Sequence, residues 1–178
     1  MPELLILVDS KDKEIGYREK EECHKNPVPL HRAFSVFIFN KKGQLLIQKR
    51  NKDKKTWGGV WSNTCCSHPR KNEDVLEAAE RRLKEELGFA TDLRYMFRFE
   101  YDAVWNKIWG EHELDHVFVG EYDGKIIPNK DEVEDWKFAN IIELKKEMNL
   151  HPEKYTPWFR VCLNRVLKDF TTFSSTGA

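Results

Sequence analysis

Between positions 72 and 89 the chain carries a stretch that few folds can accommodate: half of the positions are charged, yet Val75, Ala79, Leu83 and Leu87 recur every fourth residue. That period puts the apolar side chains on one stripe of an α-helix. Asn72 is placed to cap its start, and Glu73 and Asp74 lie in the first turn, where the helix dipole favours carboxylates. Gly88 can close the helix in left-handed geometry. Glu77–Arg81 and Glu80–Lys84 are spaced to pair on its outer side. A helix with one apolar stripe needs a flat apolar partner, so strands are sought on either side.

They are there. Residues 33–39 alternate and read as a strand, Asn40-Lys41-Lys42-Gly43 as a turn, and 44–49 as the returning strand. The short apolar run at 4–8 reads as a further strand. Residues 51–61 form a basic, glycine-containing, aromatic loop. Strands are predicted at 95–104, at 108–121 with an interruption at Gly110 left open, and at 136–139. A helix is predicted at 141–148, and Pro157 suits the first turn of a last helix reaching about residue 170. No repeat or composition shift marks a second domain. The prediction is one α/β domain over 1–178, with a mixed sheet, a central carboxylate-rich helix, a core over 4–170 and a flexible polar tail at 171–178.

Lys+Arg and Asp+Glu are both 30, which argues against a nucleic-acid or acidic-membrane partner. The basic run Lys52, Lys54, Lys55 is too local to change that. No apolar run approaches the roughly 20 residues of a membrane helix. The four cysteines lack framework spacing, and two are adjacent, which argues against a disulfide scaffold and for a reducing cytoplasm.

Two groups of residues carry chemistry. Glu85 and Glu86 follow Arg81 and Arg82 in the last turn of the helix, and such a cluster can hold a Mg²⁺–diphosphate complex. His24, His31 and His68, with Glu111 and Glu113 two apart on one strand face, offer three imidazoles and two carboxylates. That set suits Zn²⁺, Mn²⁺ or Fe²⁺ better than Mg²⁺. His112 and His116, on the opposite strand face, are a rival pair.

The helix matches most of the Nudix box, G-x5-E-x7-R-E-U-x-E-E-x-G-U: Glu73, Arg81, Leu83, Glu85, Glu86, Gly88 and Phe89 fall in place. Ser67 stands for the leading Gly, and Arg82 for the Glu after the Arg. With Ser62-Asn63-Thr64-Cys65-Cys66-Ser67-His68-Pro69, the chain from about Lys20 to Trp158 resembles type I isopentenyl diphosphate isomerases. That resemblance implies a Nudix-like α/β/α sandwich and interconversion of isopentenyl and dimethylallyl diphosphate through a tertiary carbocation. It implies Cys66 and Glu113 as the acid–base pair, Tyr101 beside Glu113, and Trp158 near the developing cation. Lys20, Arg50, Lys54 and Arg82 would hold the diphosphate. One divalent ion, Zn²⁺ or Mn²⁺ with Mg²⁺ possible, would sit on His24, His31, His68, Glu111 and Glu113. A Mg²⁺ contacting Glu86 would come with the substrate. The implied partner is a small isoprenoid diphosphate, and the implied state a monomer or weak homodimer. Arg82 weakens the rival reading as a Nudix pyrophosphatase, and retention of both Cys66 and Glu113 speaks against an inactive metal-stabilised binding module.

Overall fold

The computed structural model describes residues 2–174, with side chains as far as residue 170. At its centre β3 (His31–Phe39) and β8 (Gly110–Glu121) run parallel, in register from His31↔Glu113 to Phe39↔Glu121. The antiparallel hairpin β1 (Leu4–Val8) and β2 (Glu14–Glu19) joins β3 through Leu7↔His31. Farther along the same edge β3 pairs with β6 (Cys65–Ser67) and then β4 (Leu45–Arg50). β4 also pairs with β5 (Trp61–Ser62) and β9 (Val133–Ala139), and β7 (Arg94–Val104) pairs with β8.

Among the described residues four α-helices join the strands: α1 (Lys20–Cys23), α2 (Val75–Leu87), α3 (Ile141–Leu150) and α4 (Pro157–Ser174). Central strands covered on both faces lose the hydrophobic/polar alternation of an open sheet, and β3 is apolar without a break from Val36 to Phe39. Its Phe34, Val36 and Ile38 pack with Ala79, Leu83 and Leu87 of α2. Its Phe37 and Phe39 pack with Phe159, Leu163 and Val166 of α4. Strand parity then places His31 on the α4 side, together with Glu111, Glu113 and Asp115 of β8. Among the described residues no helix is long and apolar enough to cross a membrane.

Several boundaries differ from the sequence expectation. Asp74, not Asn72, caps α2, accepting from the backbone N–H of Leu76 at 2.8 Å and of Glu77 at 3.4 Å, while Asn72 sits in the preceding turn at φ 64°. Arg81 turns away from Glu77 to a bidentate pair with Glu73 at 2.6 and 2.8 Å and to Glu85. No ion pair joins Glu80 to Lys84 among the described residues. β8 begins at Gly110 and runs without a break, and β9 begins at Val133, earlier than expected. The last helix takes in residues 171–174 of the expected tail, and 175–178 lie outside the described residues.

Gly88 ends α2 as expected, at φ 76° with its N–H on the Lys84 carbonyl at 3.0 Å. A Cβ there would stand 2.6 Å from the Ile127 carbonyl oxygen. Gly88→Ala therefore combines a left-handed backbone with a clash and should cost about 2 kcal/mol. A urea melt of the variant checks this, and an unchanged midpoint would mean that the 127 loop yields freely.

Candidate active site

The parallel register brings His31 opposite Glu113. His31 Nδ1 lies 2.9 Å from the Pro29 carbonyl and His24 Nδ1 lies 2.6 Å from the Lys20 carbonyl. A carbonyl only accepts, so both Nδ1 atoms carry a proton and both Nε2 atoms are aimed inward. His68, just beyond β6, completes the ring set: its centroid is 5.0 Å from that of His24 and 5.1 Å from that of His31. Potential ligand atoms of these three histidines, Glu111 and Glu113 all lie within 4.8 Å of one another.

The carboxylates are held from outside. Thr56 Oγ1 donates to Glu111 Oε1 at 2.8 Å, and Tyr101 Oη donates to Glu113 Oε2 at 2.5 Å. Inside, Glu113 Oε1 faces His68 Nε2 at 2.7 Å and His31 Nε2 at 3.5 Å. His31 Nε2, His68 Nδ1 and Glu111 Oε2 are buried without a well-directed hydrogen-bond partner. Orphaned buried polar atoms are costly unless something compensates them. Converging nitrogen and oxygen donors, three of their atoms unspent, fit a divalent cation. Without one the groups polarise each other. Burial works against charge on His24, but Glu111 wins and raises it to about 9. Burial, followed by the neighbouring His24 and His31, holds His68 well below the usual histidine range. Glu113 is pushed up by burial, yet His31, Tyr101 and His24 together keep it below the ordinary carboxylate value.

A cavity of about 490 Å³ opens beside this cluster. Lys20, Arg50, Lys54 and Arg82, from four separate segments, all line it. So do Cys66, Tyr101, Glu113 and Trp158. Strand alternation separates the adjacent cysteines: Cys65 is fully buried in the α2 core, while Cys66 faces the cavity with Sγ 3.6 Å from Arg50 Nη1. All four cysteines are free thiols. Burial pushes the Cys66 thiol up to about 11, although Arg50 pulls the other way. The thiol thus holds its proton near neutrality while Glu113 is ionised. The Trp158 indole N–H donates to Ser62 Oγ at 3.1 Å and Asn63 Oδ1 at 3.2 Å, fixing the ring against the cavity. Arg50 stands 5.4 Å from that ring's centroid, so the face already attracts a cation.

Glu86 stands apart from the other expected site residues. It is 1% exposed and lies behind Arg82 rather than on the cavity wall. Arg82 Nη2 donates to one of its oxygens at 2.7 Å and Gln48 Nε2 to the other at 3.0 Å. The rival histidines do not form a site together: His112 pairs with Glu100 at 2.9 Å and His116 with Asp12 at 3.0 Å. Sequence reasoning missed Thr56, whose only signal was its place in the basic aromatic loop. It also missed Trp109 and Lys55 on the cavity wall, and Glu132, which pairs with Lys54 and Arg82.

Tyr101→Phe leaves one oxygen of a buried carboxylate short of its donor. It should lower kcat about 10- to 100-fold with the fold retained. Steady-state kinetics beside a thermal melt test this, and an unchanged kcat would make Tyr101 a packing residue.

A NUDIX domain model matches residues 29–159. The same fold appears in DR0079 from Deinococcus radiodurans, with TM-score 0.69, 18% identity, and coverage of 83% of this chain and 90% of that one. A MutT protein from Methanosarcina mazei aligns with TM-score 0.65 and 18% identity over 79% of this chain and 94% of that one. The chain belongs to the NUDIX domain family. Among its relatives, the isopentenyl-diphosphate Delta-isomerase 1 of Aromatoleum aromaticum is 46% identical over 94% of both chains. The corresponding Bos taurus protein is 38% identical over 94% of this chain and 83% of that one. Within the NUDIX domain family, the chain is a member of the isopentenyl-diphosphate Delta-isomerase family.

Proposed function

We propose that this chain interconverts isopentenyl and dimethylallyl diphosphate, feeding isoprenoid biosynthesis. Moving the double bond of an unactivated alkene requires a proton added at one carbon and another removed two carbons away, with a tertiary cation between. The observation that carries this reading is that Cys66 and Glu113 line one cavity together with Tyr101 and Trp158. Because the reaction is reversible, the group that gives a proton in one direction takes it in the other. Trp158 presents its π-face to the developing cation, and the enclosing aromatic side chains keep out the water that would trap it. Lys20, Arg50, Lys54 and Arg82 anchor the diphosphate.

His24, His31, His68, Glu111 and Glu113 would hold a Zn²⁺ or Mn²⁺, with Mg²⁺ possible, which when bound would fix Glu113 and moderate its basicity. A Mg²⁺ arriving with the diphosphate would reach Glu86 only if Arg82 released it. The hydrolase alternative is disfavoured because Arg82 puts a guanidinium where that chemistry uses a carboxylate. The same reading places the enzyme in a reducing cytoplasm, as a monomer or weak homodimer without a nucleic-acid partner. Proton NMR of isopentenyl diphosphate with the enzyme and Mg²⁺ in D₂O tests the proposal. Deuterated dimethylallyl product supports it. Phosphate release would favour the hydrolase, and binding without turnover would favour a binding module.

A further inference from the structure

Each cavity cation except Arg50 is matched by a carboxylate, but one carboxylate serves two of them. Glu132 pairs through Oε2 with Lys54 Nζ and through Oε1 with Arg82 Nη2, the latter at 2.9 Å. Arg50 instead donates to the Thr56 and Trp57 carbonyls at 3.0 and 3.2 Å. Lys54 and Arg82 come from different parts of the fold, the 51–61 loop and α2. Glu132 is fastened to both. Its carbonyl accepts from the Asn51 N–H at 3.0 Å, and the turn it closes begins at Asn129, whose N–H donates to the Glu86 carbonyl at 2.8 Å. Asn51 Nδ2 adds a bond to the Lys130 carbonyl at 2.7 Å. Burial pushes the Glu132 carboxyl up, yet Lys54 and Arg82 bring it down to about 2, so it is an anion at any working pH.

We propose that Glu132 is a built-in competitor in the anion cradle: its carboxylate occupies Lys54 and Arg82 in the free protein, and the incoming diphosphate displaces it from them. The inference rests on the reading above, that these two cations receive the diphosphate. A carboxylate anchored at the backbone competes with the ligand because it occupies the same donors. It thereby weakens ligands of low charge and is overcome by a diphosphate.

Calorimetric titration of inorganic pyrophosphate into the full-length protein, without added Mg²⁺, tests this. Glu132→Gln should bind about five- to tenfold more tightly than wild type, and Lys54→Met about tenfold more weakly. Glu132→Asp, which keeps the charge, should stay within about twofold. Unchanged or weaker binding by Glu132→Gln, with Lys54→Met weakened, would overturn the role of Glu132 and leave the diphosphate reading intact. A tenfold gain by Glu132→Asp would also overturn it, because the effect would not be one of charge. Lys54→Met binding as wild type would remove both. In wild-type protein the side-chain carboxyl ¹³C resonance of Glu132 should move on saturation with pyrophosphate. A stationary resonance overturns the displacement even if the variants do not fold.

Discussion

Replacing Cys66 by alanine should lower kcat by about a thousandfold and leave the unfolding midpoint near that of the wild type, since a positioned acid or base contributes about 10²- to 10⁴-fold. Cys65→Ala should do the reverse. The two residues are neighbours in sequence and chemically identical, so the comparison isolates their environment. Cys65 has no exposed surface and packs among Phe34, Val36 and Leu83, where losing its sulfur opens a small void worth about 1 kcal/mol. Cys66 faces the cavity, partly exposed, with Arg50 and Ser62 as its polar neighbours at 3.6 and 3.9 Å. Its environment is unusual for a thiol, because burial and a guanidinium act on it in opposite directions. The burial dominates, and the proton stays on sulfur until a cation or an alkene changes the balance. Cys66→Ser separates the thiol's acidity from its shape: a hydroxyl fits the space but gives up its proton far less readily, so kcat should remain low. Kinetics and melts of the three variants decide the matter. Equal losses of activity from Cys65→Ala and Cys66→Ala would withdraw the role given to Cys66.

Elements with a strong local signal were legible before any coordinates. The stripe of α2, the left-handed glycine that ends it and the proline that opens α4 are consequences of nearest-neighbour chemistry, and they stand where the sequence put them. The cap of α2 was displaced by two residues because Asn72 and Asp74 are both good caps, and only the path of the turn chooses between them. β5 and β6 escaped notice because two- and three-residue strands have no periodicity to read. In the site, the spacing of Glu111 and Glu113 was enough to put them on one face. The approach of His24, His31 and His68 was not local at all: it needs the parallel pairing of β3 with β8, whose partners lie far apart in the chain. Family resemblance supplied what local physics could not. Glu132 carried no signal of either kind, since an acidic residue in an acidic loop looks like any solvated carboxylate until Lys54 and Arg82 are found on either side of it.

Glu113→Gln should abolish turnover to within about a thousandth of the wild-type rate and also lower the divalent metal content of the purified protein. The amide preserves shape but not function. One oxygen of Glu113 faces the imidazoles of His68 and His31, and the other accepts from Tyr101 Oη. A glutamine must turn its NH₂ toward one of these sides. Facing the imidazoles, it sets a donor against nitrogens that should point at a cation. Facing Tyr101, it forces the phenol to give up its bond inside a buried pocket. Either orientation removes the negative charge that a proton acceptor and an ion ligand both require. Glu111→Gln provides the contrast. Glu111 is held by Thr56 and faces His24, away from Tyr101, so its loss should weaken metal binding without removing the acid–base group. Excess Mn²⁺ or Zn²⁺ should therefore restore much of the activity of Glu111→Gln and almost none of that of Glu113→Gln, with metal content followed by elemental analysis. Equal rescue of both variants would reduce Glu113 to a ligand and leave the carbocation chemistry in need of another base.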